Sequence, residues 1–568
     1  MATNTTRGEG QTGHDATPQI LLLNPANTPA RHKTFEPNIY PNLGLLTLAT
    51  SLRHALRQGN VAARVLYYDG GLLGEDFIRD YIAQNADRIA VIGYSAYTPN
   101  YGACVTLARH AKACNAGIVN VIGNDHFSAL YEQIIRRQQG VFDYGFYGND
   151  VVEGFTEFVL GQLTGKLRLL RTYPGLVFRD PLSASGVTRC PENPGEFTRL
   201  PLPDYSLLDS LVPHAEQYLR EQQAFYGYMR DEGLRTTVID IARGCIKFTG
   251  ARNESGTPLN ACDFCGIIPG SKALMAQSAE RAWQVIRNAF DQGYNYLFVT
   301  ADELPTTFWP LLRNMADQMP DWYLAMAPAD RPRMMCYARA DAFRERMKDR
   351  IDVLMDTLRF DHFFVGLDGF SSISLRAINK GINRNANDSD DLLKHNLIAC
   401  AEISRRGGRL SAGAVMTHIG VTPAMLETNF QTMQRVIAQY AHLFMELDFE
   451  LLGPIPGSLA FDYLRRPGAA RARADVLGLN VDDRVLEAMH LKYADADDLD
   501  PVELTDDFVR ACCPDITVEM AHDYLRKVRE LMQEQGIAFD SNGIAREVPA
   551  WGGEAGAAVA SVGFGAAS

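Results

Sequence analysis

Apolar residues along this chain recur in two alternating patterns. Short apolar runs at 20–23, 63–68, 89–94 and 118–122 have the length of buried strands. Between them, stretches such as 43–56 and 101–113 repeat their apolar positions at helical spacing. Alternation of this kind predicts a parallel sheet covered by helices. Turn residues follow the strands: Asn24-Pro25 after the first, Ser95 after the third, Gly123-Asn124 after the fourth. The carboxyl-end loops of open α/β sheets are where ligands bind.

A second alternating block opens at 236. Its predicted strands are 237–241, 296–300, 333–337, 362–366, 410–416 and 449–452, with helical patterns such as 279–290 and 390–405 between them. Six βα units in succession predict a partial or full TIM-type barrel with its chemistry at the strands' C-terminal ends. The connection 172–235 is dense in proline, which breaks regular elements. Beyond 465 strand signals fade, and 475–535 reads as helical. The expected fold class is therefore α/β. The expected parts are a Rossmann-like parallel sheet (19–171), a proline-rich linker (172–235), a (β/α) barrel (236–465) and a helical C-terminal region (466–548). The lead-in 1–18 and the Gly/Ala-rich tail 549–568 are expected to be disordered.

At 568 residues the chain is too long for one core. Its net charge of −13 argues against a large nucleic-acid or anionic-membrane footprint. No apolar run approaches the ~20 residues of a membrane helix, and 1–18 lacks the apolar stretch of a signal peptide. A cytoplasmic location is expected. Ten cysteines in so long a chain do not look like a disulfide framework. In a reducing compartment a tight cysteine group more often binds metal or does chemistry.

One such group exists. Ala242-Arg243-Gly244-Cys245 is followed, after sixteen residues, by Cys262-Asp263-Phe264-Cys265. It lies just past the first strand of the second block, where a barrel places catalysis. Three thiolates can hold three irons of a [4Fe–4S] cluster and leave the fourth open, whereas structural zinc takes four closed ligands. Spacing alone leaves cluster, zinc and free thiols open.

The Arg-Gly-Cys start and the Cys-x-aromatic-Cys end resemble the radical S-adenosylmethionine (SAM) signature, Cys-x3-Cys-x2-Cys, except that sixteen residues replace the first three. Lengthening that loop costs only roughly 1.5 kcal/mol in closure entropy. Further on, Gly366-Leu367-Asp368-Gly369, Asn379-Lys380-Gly381 and Pro454-Ile455-Pro456-Gly457-Ser458 are similar to stretches of the cobalamin-dependent radical SAM barrel. The resemblance implies a SAM site: the ammonium on Asp302 or Glu303, the ribose on Asp368 and the carboxylate on Arg339, with Phe264 beside the cluster.

The N-terminal block resembles the cobalamin-binding domain that precedes many such barrels. The matching residues are Asn24, Ile92-Gly93-Tyr94-Ser95 with Tyr97, Gly123-Asn124-Asp125-His126 and Gly148-Asn149. The Asp-x-His-x-x-Gly motif that supplies histidine to cobalt elsewhere is absent, so no histidine is expected below the metal, and His126 is expected to pack in a loop. The resemblance implies three cofactors, namely a [4Fe–4S] cluster, SAM and cobalamin. It also implies an electron donor of flavodoxin or ferredoxin type and a small-molecule or peptide substrate. Methylation of an unactivated carbon or phosphorus is the expected activity. Cyclisation or rearrangement without methyl transfer, and a non-catalytic zinc scaffold, are the alternatives.

Overall fold

A computed structural model describes residues 17–27, 39–193, 195–268, 274–381 and 391–539. Most of the expected lead-in and all of the expected Gly/Ala-rich tail lie outside the described residues. Two seven-stranded sheets carry the fold.

The first sheet contains β1 (Gln19–Asn24), β2 (Arg64–Asp69), β3 (Ile89–Ser95), β4 (Val119–Gly123) and β5 (Tyr144–Phe146). It continues into β6 (Leu176–Arg179) and β7 (Val187–Arg189), and its order is 2-1-3-4-5-6-7. β1 to β5 are parallel and β6 and β7 antiparallel. The strands are buried almost without interruption because helices cover both faces. Strand order reverses between β1 and β3, so their carboxyl ends open a crevice there. β6 and β7 fall in the stretch expected to be an irregular connection. Its prolines sit outside the two strands, which are short edge additions that leave little periodicity to read.

The second sheet runs β8 (Thr236–Ile239), β11 (Tyr296–Val299), β12 (Arg333–Arg339), β13 (Phe360–Asp368), β14 (Arg409–Val415), β15 (Phe444–Glu450) and β16 (Ala538–Phe539), all parallel and in chain order. A small hairpin, β9 (Ala242–Gly244) with β10 (Leu274–Ala276), stands beside it. The sheet is an open barrel: β8 and β16 are its two edges. β15 starts five residues before the expected position. Glu446 and Asp448 break the apolar run there, and Glu446 turns inward to accept a hydrogen bond from Tyr226. β16 arrives from the far end of the helical region, and its pairing is visible only in three dimensions.

The amino end of the barrel is plugged. Tyr226, Met229, Leu234 and Tyr296 pack together there, and the Tyr228 hydroxyl meets His362 Nδ1 at 2.7 Å. Tyr40 reaches in from the first sheet's β1–α connection, 5.0 Å from Phe298. With that end filled, only the carboxyl end of the strands is left for chemistry.

Candidate functional site

The cysteine group lies at that open end. Cys245 leaves β9, and an Asp302 carboxylate oxygen accepts from the Gly244 N–H at 2.7 Å, fixing the approach. The sixteen-residue insertion packs against the C-terminal helices. Asn253 and Ser255 donate to Asp462 at 2.6 and 2.7 Å, and the Thr257 hydroxyl donates to the Gly457 carbonyl at 3.4 Å. The insertion therefore returns Cys262 and Cys265 to Cys245.

The Cys265 thiol is hydrogen-bonded to Cys262, and all three sulfurs lie within mutual electrostatic reach. That bond holds Cys262 below the ordinary thiol value, helped by Lys380, Lys247 and Arg339, while the same bond holds Cys265 above it. Burial, reinforced by Glu303, pushes Cys245 up to about 12. Among the described residues, no three His, Cys, Asp or Glu side chains converge as they would around a single ion. A cluster does not require that convergence, since bridging sulfides spread its irons and their thiolates. Three thiols ringed by three cations fit an anionic iron–sulfur group.

The residues expected at SAM surround this group, each with a partner inside the protein. Glu303 accepts from the N–H groups of Thr306 and Thr307 at 2.8 and 2.7 Å. Arg339 donates to Asp341 at 3.1 Å and to the Lys380 carbonyl at 2.8 Å. Asp368 pairs with Lys380. Asn379 donates to the Ala261 carbonyl at 2.6 Å, tying the Asn-Lys-Gly stretch to the cysteine loop. Asp368 (φ 54°) and Asn379 (φ 58°) hold left-handed backbone, as does Asn124 (φ 79°) across the cleft. Such strain gathers where function requires a set geometry. Phe264 is half-buried between the cysteines.

Facing this group is the crevice of the first sheet. Asn42 and Asn124 both donate to the Ser95 hydroxyl, at 3.1 and 2.8 Å, and Asn24 donates to Asp69 at 3.2 Å. Asn124 adopts the backbone a glycine would prefer, and its side chain caps Asp125 N at 2.8 Å. Tyr97 is exposed here, its phenol bonded to Asn124 and Asn42. A cavity of about 280 Å³ joins the two halves. Asn24, Tyr97 and Asp125 line one wall, and Gly266, Ile455 and Pro456 the other. Asp125 and Asp302 interact across the gap. Loss of solvent and then that carboxylate push Asp125 up to about 6. Tyr97 and Tyr337 also lie within electrostatic reach of each other.

Not every expected contact faces the crevice. Tyr94 is buried and donates to Asn120 at 3.3 Å, inside the sheet's packing. The N–H groups of Asn149 and Asp150 are taken by Glu192, at 2.7 and 3.0 Å, and that carboxylate fills the space over Gly148. His126 is a packing residue. Its Nε2 donates to the Asp497 carbonyl at 2.9 Å, its Nδ1 meets the Thr98 hydroxyl at 3.1 Å, and burial pushes it down to about 4. It thereby latches the C-terminal helices to the first sheet. Lys247, Lys380 and Tyr337 had no role assigned from sequence. A lysine two residues past a candidate ligand, in a loop with few other charges, was the available signal for Lys247.

The architecture is thus a doubly wound sheet whose crevice faces the mouth of an open β/α barrel. No family model matches the sequence, nor does any curated protein. Solved structures do share the fold. The radical S-adenosylmethionine methyltransferase TsrM from Kitasatospora setae, with tryptophan substrate and a SAM analog (aza-SAM) bound, is similar with a TM-score of 0.54 at 16% identity, over 80% of this chain and 77% of that one. TsrM with cobalamin and a [4Fe–4S] cluster bound is similar with a TM-score of 0.52 at 16% identity, over 80% and 79% of the two chains. At that identity the likeness is one of fold.

Proposed function

We propose that this chain is a cobalamin-dependent radical SAM methyltransferase acting on an unactivated carbon or phosphorus centre of a small-molecule or peptide substrate. The observation that carries the reading is the cavity between the sheet-end crevice and the cysteine loop, lined by Asn24, Tyr97 and Asp125 on one side and Gly266, Ile455 and Pro456 on the other, with Asp302 in electrostatic reach of Asp125. A sheet-end crevice facing a cysteine group suits a reaction in which one side delivers a methyl group and the other removes hydrogen.

When bound, cluster and SAM would supply hydrogen-abstracting chemistry, and the corrin a transferable methyl group. The chain's own residues do the positioning. Asp302 holds the Gly244 amide and so the limb bearing Cys245, while Asn379 pins the limb bearing Cys262. Lys247, Lys380 and Arg339 offset thiolate charge. Gly123 offers an open approach to the sheet edge, where an added Cβ would meet only the Phe146 carbonyl, at 3.4 Å. His126 is engaged by the Asp497 carbonyl and the Thr98 hydroxyl, tying the C-terminal helices to this sheet. The tyrosine plug at the barrel's amino end excludes water from below. An external one-electron donor of flavodoxin or ferredoxin type completes the scheme.

The test is anaerobic turnover of the iron- and cobalamin-loaded chain with methyl-labelled SAM and candidate substrates. Equal amounts of 5′-deoxyadenosine, S-adenosylhomocysteine and labelled product are expected. Label transfer without 5′-deoxyadenosine would indicate a polar route, and 5′-deoxyadenosine without label transfer a cyclase or rearrangement enzyme. A colourless protein with one zinc and no iron would overturn the class.

A further inference from the structure

Lys247 sits in the short turn Ile246–Phe248, two residues past Cys245, and is only 4% exposed. Taking an ammonium group out of water costs several kcal/mol unless an opposite charge compensates it. Its hydrogen bond goes to the Gly381 carbonyl at 2.6 Å, a neutral acceptor. The ionisable groups that act on it electrostatically are Cys262, Arg339, Lys380 and Cys245. Two of those four are cations that repel it. Each of these cations has a carboxylate of its own: Lys380 pairs with Asp368, and Arg339 with Asp341 at 3.1 Å. Among the described residues Lys247 has none within ion-pair distance. The chain has therefore buried a third cation beside two others, and the opposite charges that act on it are the cysteine sulfurs.

We infer that Lys247 is a positioning residue that raises the reduction potential of the cluster held by Cys245, Cys262 and Cys265. The inference rests on the cluster reading above. Three thiolates on an oxidised [4Fe–4S] core leave one net negative charge, and uptake of one electron from the external donor makes it two, with no bond formed or broken. Net charge and local electrostatics are among the factors that set such potentials. A buried cation in this environment interacts more strongly with the reduced form, because Coulomb energy scales with the charge and with the inverse of the local dielectric constant. Arg339 and Lys380 contribute less, since each is neutralised in part by its own carboxylate. Lys247 and Arg339 are both joined to the Asn379-Lys380-Gly381 stretch through carbonyls, of Gly381 and Lys380 respectively.

The experiment is an anaerobic redox titration of the reconstituted full-length chain without SAM, following the paramagnetic resonance signal of the reduced cluster, with iron and sulfide measured on each sample. Lys247→Gln and Lys247→Met should shift the midpoint potential to more negative values, while Lys247→Arg should stay near the parent. Equal shifts in the Gln and Arg variants would show that packing rather than charge matters, and would overturn the inference. So would an unchanged potential in Lys247→Gln at full iron content. Loss of iron in both neutral variants with full iron in Lys247→Arg supports the same charge pairing at cluster assembly, whereas loss in all three overturns it. A parent protein that takes up no iron or sulfide sinks the cluster reading itself, which separates that failure from this one.

Discussion

Two glycines that look equivalent in the sequence, Gly93 and Gly123, should respond oppositely to substitution. Both lie at or near the carboxyl ends of strands in the first sheet, β3 and β4. A Cβ added at Gly93 would come within 2.9 Å of Leu22 Cδ2 and 3.5 Å of the Phe155 ring, inside a packed core. A Cβ added at Gly123 would meet only the Phe146 carbonyl, at 3.4 Å, which is ordinary contact. Overpacking of a well-filled core destabilises by about 1–3 kcal/mol. Gly93→Ala should lose that much, and Gly123→Ala should stay within about 0.5 kcal/mol of the parent, as changes outside packed or strained positions do. Gly123→Leu should likewise fold, but its side chain would project toward the crevice and lower cobalamin retention. Urea unfolding measures the stabilities, and visible absorbance after cobalamin loading and desalting measures retention. Gly93→Ala as stable as the parent would refute the packing account. Full cobalamin retention by Gly123→Leu would refute the placement of the corrin.

Replacing Cys245, Cys262 or Cys265 singly with Ala should lower iron content and abolish SAM cleavage, whereas Cys114→Ala, on an exposed helix position, should leave both unchanged. Glu196 is buried and accepts from the first N–H groups of the helix Val152–Thr164, at 2.6 and 3.1 Å, and burial pushes it from 4.5 up to about 7. A carboxyl with a raised folded value stabilises the fold most below its ordinary value and loses that contribution as pH rises toward 7. The stability difference between the parent and Glu196→Gln should therefore change by about 3 kcal/mol across that window, at about 1.36 kcal/mol per pH unit. A flat difference in urea unfolding at pH 4.5 and 7.5 would contradict it. The Asp497 carboxylate accepts from Tyr101, Gln138 and Arg137 at 3.1, 2.9 and 3.4 Å. Asp497→Ala should loosen the C-terminal helices from the first sheet by about 1–3 kcal/mol, the range for buried groups left unsatisfied. Faster proteolysis of the 483–512 region would report it, and unchanged proteolysis would count against the latch.

Local pattern in the sequence determined the two α/β blocks, the parallel direction of most strands and the helical character of 475–535. Strand and helix periods are properties of neighbouring residues, and burial on one face or both writes them into the chain. The loops at Asn24, Ser95 and Gly123 were legible for the same reason: each ends a strand that the pattern marks. What pattern could not carry was every relation between distant segments. Glu446 and Asp448 made β15 look shorter than it is, because they interrupt its apolar run and the partner of Glu446, Tyr226, lies in a distant segment. β16 was hidden because its partner lies 92 residues earlier (Glu446 to Ala538). Gly148 reads as a cofactor contact in the sequence, but Glu192, just past β7, accepts from the Asn149 and Asp150 amides and fills the space over it. His126 became a latch only once Asp497 was beside it. The sixteen-residue gap between Cys245 and Cys262 is an obstacle on paper, and contacts to Asp462 and Gly457 close it. Loop closure is inexpensive in entropy, so tertiary contacts rather than spacing decide which thiols meet.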